Sequence, residues 1–252
     1  MVTSHTRGAD EAGMLRSSYD RRRFLQWSGT ASAALLLGCD NSTGEPDSSL
    51  SPSTSSGATV TAGADSATIN LGNDVGILNF AYALEQLEAA FYIKVVNDFY
   101  PGASGEEREM LLDIKNHEVV HREFFQAALR SAALPKLSVD FSSVNFASRD
   151  SVLATARALE DTGVGAYNGA GQFLRNGDYL EVAGKIVSVE ARHASAIRDL
   201  VGRSFAPKAF DDALTFEQVL RRAGPFIATN ITITNSPTAA MATRSSGEEI
   251  DS

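Results

Sequence analysis

Cysteine is almost absent from this 252-residue chain, in which Cys39 is the only one. An intramolecular disulfide, a Cys-based zinc ribbon and a rubredoxin-like Cys-x-x-Cys pair are therefore excluded. Positive charge is also scarce. Lys and Arg number 22 against 31 Asp and Glu, a formal net charge of −9, and no Lys/Arg block lies beyond the first two dozen residues. That balance argues against nucleic acid as a ligand, because phosphate binding needs clustered basic side chains. Strict two-residue alternation is rare, so strand signals are few. What is present is 43% hydrophobic residues. This is enough to bury a core, and it excludes fibrous and fully disordered classes.

Residues 20–39 read DRRRFLQWSGTASAALLLGC. Arg21 and Arg22 precede Phe24, Leu25 and an apolar run too short to cross a bilayer as a helix. The pattern resembles a twin-arginine export signal. The run ends Leu36-Leu37-Gly38-Cys39, which resembles a lipoprotein cleavage box with Cys39 as the acylated residue. Together they imply a signal peptide over 1–38, export, and a lipid anchor at the periplasmic or extracytoplasmic face of a membrane. A secretory peptide with an incidental Cys is the alternative. Residues 39–70 are rich in Ser, Thr, Gly and Pro, a composition that predicts a disordered tether, and 235–252 read the same way. One folded domain, 71–234, is expected between them.

That domain carries long stretches of 3.5–3.6-residue periodicity. The spacing predicts a helix over 74–99, stopped by Pro101-Gly102, and a second from a Ser104 cap to about 133. Glu107, three residues after Ser104, completes a capping-box spacing. Further helices are predicted over 149–174 and 178–201, with a short one over 215–223. The first and second helices are joined by a short loop, as are the third and fourth. Residues 134–148 make a longer connection between the pairs. Short, long, short is the loop pattern of a four-helix bundle built from two antiparallel hairpins and one crossover. The fold class is therefore all-α.

The apolar seam of each helix is interrupted near its middle by acid. Helix one carries Glu85 and Glu88, helix two Glu118 and His121, helix three Glu160, helix four Glu190 and His193. An unpartnered buried carboxylate costs several kcal/mol, so four interruptions at one depth call for a common partner. Heights across an antiparallel hairpin match when two residues are equidistant from the turn. Glu88 and Glu118 straddle the first turn, and Glu160 and Glu190 the second, each pair 30 residues apart. Equal intervals favour Glu88 over Glu85 as the ligand of helix one. Glu-x-x-His places both side chains on one helix face. Four carboxylates with two imidazoles suit two divalent cations, Fe(II) or Mn(II).

At these residues the sequence resembles the ferritin-like superfamily, specifically its desiccation-related branch. The stretches LNFAYALEQLEAAFY (78–92), NHEVVHREFFQAAL (116–129), ALEDTGVGAYNGAG (158–171) and KIVSVEARHASAIRDLVG (185–202) carry the likeness. The resemblance implies a di-iron or di-manganese centre held by Glu88, Glu118, His121, Glu160, Glu190 and His193. Glu118 and Glu190 would bridge, each His would hold one metal, and Glu88 and Glu160 would cap. It further implies an oxidoreductase of ferroxidase or peroxidase type that oxidises Fe(II) or reduces O₂ or peroxide in stress or metal handling. The rubrerythrin group has a further Glu three residues after the ligand of helix three. That position is Gly163 here, so a seventh ligand exists only if Glu85 supplies it. A membrane tether suits a monomer or homodimer better than a cage.

Two other readings remain. One is a metal-free or non-catalytic scaffold of the same fold. The other is a zinc metalloprotease, because His117-Glu118-Val119-Val120-His121 is H-E-x-x-H. His117 falls one position before the seam, so the bundle would point it away from the axis.

Overall fold

In the computed structural model, residues 60–63 and 65–237 are described. The expected signal peptide, Cys39, most of the tether and positions 238–252 lie outside the described residues.

Helix α1 (Asp74–Asn97) is capped by Asn73, whose side chain accepts from Gly76 N at 3.0 Å. Helix α2 (Gly105–Leu129) starts with the expected capping box: Ser104 Oγ accepts from Glu107 N at 3.1 Å, and Ser104 N donates to Glu107 Oε2 at 3.2 Å. These bonds satisfy donors that a helix start leaves orphaned. Helix α2 ends earlier than expected. A 3₁₀ turn over Arg130–Ala132 follows it, and Arg130 adopts φ 53°. Helices α3 (Arg149–Gly171) and α4 (Gly177–Leu200) form the second hairpin, and α5 (Phe216–Ala223) follows.

α1 packs along α2 and α3 along α4, while α1–α3 and α2–α4 contacts close the bundle. The crossover over 133–148 is pinned to α1 by two buried amides seven residues apart. Asn79 accepts from Leu134 N at 2.7 Å and donates to Ala132 O at 2.8 Å. Gln86 accepts from Leu137 N at 2.9 Å and donates to Pro135 O at 3.2 Å. Leu134, Leu137, Phe141 and Val144 of the crossover are buried, so it forms part of the core. α5 lies on α3 through Leu214, which approaches so closely that a Cβ on Gly169 would stand 1.8 Å from its carbonyl oxygen.

The expected domain start at 71 needs correction. Strands β1 (Val60–Gly63), β2 (Ser66–Asn70) and β3 (Asn230–Thr234) form a small sheet in the order β1-β2-β3. β1 is antiparallel to β2, and β2 is parallel to β3 with Ile69 opposite Ile233. Ala67 and Ile69 are buried, so the folded unit begins before the expected tether ends. The Ser/Thr-rich composition around these two apolar residues hid a five-residue strand whose partner lies more than 160 residues away.

Candidate metal centre

Five carboxylates and two imidazoles meet inside the four helices. Glu85, Glu88, Glu118, Glu160, Glu190 and His193 are all buried, and His121 is nearly so. Six of these seven group into two overlapping sets of donor atoms, each set within 4.8 Å. One comprises Glu85, Glu118, His121 and Glu190; the other comprises Glu118, Glu160, Glu190 and His193. Glu118 and Glu190 belong to both.

Each shared carboxylate gives one oxygen to each side. Toward His121 Nδ1 face Glu190 Oε1 at 2.9 Å, Glu85 Oε2 at 3.4 Å and Glu118 Oε2 at 3.7 Å. Toward His193 Nδ1 face Glu118 Oε1 at 2.8 Å, Glu160 Oε2 at 3.5 Å and Glu190 Oε2 at 3.6 Å. These are ion-pair distances, yet none of the eight atoms has a hydrogen-bond partner in acceptable geometry among the described residues. Buried polar atoms are normally paired. Imidazole nitrogens and carboxylate oxygens that converge at ion-pair distances without a directed hydrogen bond are placed to share a cation. Three oxygens and one nitrogen on each side fit a divalent transition metal.

The second oxygens of the outer carboxylates are held by tyrosine. Tyr92 donates to Glu160 Oε1 at 2.5 Å, and Tyr167 donates to Glu85 Oε1. Burial and the surrounding carboxylates push both phenols well above their usual pKa, so they stay protonated donors. A pseudo-twofold relation follows. It exchanges Glu85 with Glu160 and Tyr92 with Tyr167, 75 residues apart, and Glu118 with Glu190 and His121 with His193, 72 apart.

Glu85 is therefore the α1 member of the constellation, and Glu88 is not. The preference for Glu88 rested on equal intervals in the two hairpins. The matched intervals are 33 residues from Glu85 to Glu118 and 30 from Glu160 to Glu190, because the α1–α2 connection is the longer one. Glu88 lies outside both donor groups, against Gly163. Burial, then the charges of Glu118, Glu190, Glu160 and Glu85, raise its pKa well above the carboxylate range.

Burial and mutual charge shift the other members of the cluster in different directions. Burial and the charge of Glu190 push Glu118 up to about 8, against the opposing pull of the nearby His121 and His193. Burial lifts Glu160 to about 7 in spite of His193. For Glu190 the two imidazoles outweigh burial and hold it at about 2. Burial would depress His121, but Glu118, Glu190 and Glu85 raise it to about 12, and the carboxylates around His193 raise it likewise. Cations bound among these groups would take over the charge balance from protons.

His117 stands outside both donor groups and is exposed, as its place before the seam implies. It is not idle there: its Nδ1 lies 2.9 Å from His193 Nε2. An H-E-x-x-H zinc site would need His117 and His121 on one metal, and the geometry gives His117 to the outer edge of His193 instead.

Residues 73–203 match the ferritin-like domain family. The chain belongs to that family. No curated protein matches the sequence at a significant level. The molecule is thus an all-α ferritin-like bundle with a short C-terminal helix and a buried Glu/His cluster able to bind metal.

Proposed function

We propose that this protein is a di-metal carboxylate protein that binds two iron or two manganese ions and oxidises Fe(II) or reduces O₂ or peroxide. The observation that carries this reading is the set of eight buried donor atoms without a directed hydrogen bond, divided four and four about two shared carboxylates. Glu85 and His121 would hold one metal, Glu160 and His193 the other, with Glu118 and Glu190 bridging. A metal pair bound there would supply redox and Lewis-acid chemistry toward Fe(II), O₂ or peroxide. The chain's own residues do the rest. Tyr92 and Tyr167 fix the outer carboxylates and leave one oxygen of each for coordination. Leu111, Ile114, Leu153 and Ile197 of the apolar seams are buried on the same helices that carry Glu118, His121, Glu160, Glu190 and His193.

The reading extends to place. The twin-arginine pattern and the sole Cys support export and lipid anchoring at Cys39, which would set the centre at the cell envelope, facing metal or oxidant from outside. No helix among the described residues is long and apolar enough to cross a membrane.

Anaerobic reconstitution with Fe(II) or Mn(II), followed by metal analysis, tests the site. Two ions per chain are expected, and exposure to O₂ or peroxide should then oxidise bound Fe(II) faster than Fe(II) in buffer. Wild-type protein that takes up neither metal, nor zinc, would retire the di-metal reading and leave a ferritin-like scaffold.

A further inference from the structure

We propose that His117 is a positioning residue for His193, and that it makes the two metal positions unequal. The inference rests on the di-metal reading above. His193 presents Nδ1 to the carboxylates and Nε2 to His117 Nδ1, 2.9 Å away. The two ring planes are 9° apart with centroids 5.2 Å apart. Nearly parallel rings with so short a nitrogen contact meet edge to edge, so the N–H of one points along the lone pair of the other.

The proton bookkeeping leaves one arrangement. A neutral imidazole has one N–H and one lone pair. A metal on His193 Nδ1 takes the lone pair there, so the proton sits on Nε2 and is donated to His117 Nδ1. His117 then carries its own proton on Nε2. A fixed ring with its outer N–H engaged is a better donor than a free one.

His121 has no such partner. Among the described residues nothing hydrogen-bonds its Nε2. The 72-residue relation that carries His121 onto His193 carries His117 onto Val189, which has no side-chain acceptor. The inequality is therefore written in the sequence: His precedes Glu118, and Val precedes Glu190. The His-Glu-x-x-His run that mimics a zinc-protease motif is accounted for without a zinc protease.

His117 also lines an open cavity of about 370 Å³ with Glu109, Met110 and Asp113. Removing its ring enlarges that open space instead of leaving a buried void, so the variants should fold. The test is an anaerobic titration of the full chain with Co(II), for wild type, His117→Leu and His117→Asn. Asn places its amide oxygen where Nδ1 stood and can accept from His193. Wild type should bind two Co(II). In His117→Leu one of the two should weaken roughly tenfold to a hundredfold while the other is unchanged, and His117→Asn should recover most of the loss. In the Co(II)-loaded protein, the shifted N–H signal of His193 should persist in wild type and His117→Asn and exchange with solvent in His117→Leu.

A Leu variant that titrates like wild type overturns the proposal. So does an Asn variant as weak as Leu, or equal weakening of both positions, either of which marks ordinary packing. Wild-type protein that binds no Co(II) overturns the di-metal reading itself, and this inference falls with it.

Discussion

A Cβ built on Gly163 would stand 3.0 Å from Glu88 Oε1. The relation that carries Glu85 onto Glu160 carries Glu88 onto position 163, so these two sites face each other across the bundle and compete for one space. A carboxylate occupies it from α1, and α3 leaves it empty. Glu88 is thus a fifth buried acid beside a four-carboxylate centre.

Opposite outcomes are expected for the two acids of α1. Glu85→Gln should lower metal stoichiometry below two, because it removes a donor oxygen from the His121 side. Glu88→Gln should leave stoichiometry at two. It should also raise the melting temperature of the metal-free protein at pH 7, since folding no longer forces an acid to stay protonated that the unfolded chain would ionise. Metal analysis and thermal melts of both variants check this. Loss of metal in Glu88→Gln alone would restore Glu88 as the ligand.

What could be read in the sequence divides along a physical line. Glu118, His121, Glu190 and His193 stand out because Glu-x-x-His is a local pattern on one helix, and the helix periods fix which face it occupies. Glu160 followed from its hairpin. The choice between Glu85 and Glu88 depended on the height of α1 against α2, which the connection sets and the period does not. A three-residue error there is nearly one helical turn, and it keeps the residue on the same face. The signal that would have decided it is the seven-residue Glu-to-Tyr spacing, shared by Glu85–Tyr92 and Glu160–Tyr167. His117's role depends on α2–α4 contact, and β2 depends on a partner near the other end of the domain; neither is a local property.

The sheet makes a stability prediction. Ile69 is fully buried, and β2 is held by β3 and by the Leu71 N to Thr234 O bond of 2.9 Å. Ile69→Ala should cost about 2–5 kcal/mol in denaturant unfolding. A chain beginning at residue 71 should melt at a lower temperature than one beginning at residue 60. Equal melting temperatures would mean that the sheet adds nothing to the bundle.

The tyrosines should act symmetrically, each on one side. Tyr92→Phe removes the donor to Glu160, and Tyr167→Phe the donor to Glu85. A hydrogen bond to a charged or partly charged group contributes about 1.5–3 kcal/mol, so each variant should lose stability on that order without metal. With metal, Tyr92→Phe should weaken the position that shares His193, and Tyr167→Phe the position that shares His121. Sequential Co(II) binding isotherms separate the two.

The metal-free protein should lose stability as pH rises from about 5 to about 8. Glu118 at about 8 and Glu160 at about 7 both keep their protons where an unfolded carboxyl, near 4.3, has lost its own. Across that window the folded state binds more protons than the unfolded state, so rising pH favours unfolding. His121 acts in the same direction. Its pKa is raised from 6.5 to about 12, so its contribution is full below 6.5 and fades as pH climbs toward 12. Glu190 opposes them only in acid, because a carboxyl held at about 2 contributes stability above the ordinary range and loses it as pH falls toward 2. The metal-free protein should therefore be most stable in mild acid. Metal loading reverses the slope, because cations replace the protons and bind better as competing protons leave. Thermal melts of metal-free and Mn(II)-loaded protein between pH 5 and pH 9 measure both slopes. A metal-free melting temperature that climbs with pH would show that the buried carboxylates are not holding protons, and the charge balance drawn for the centre would be wrong.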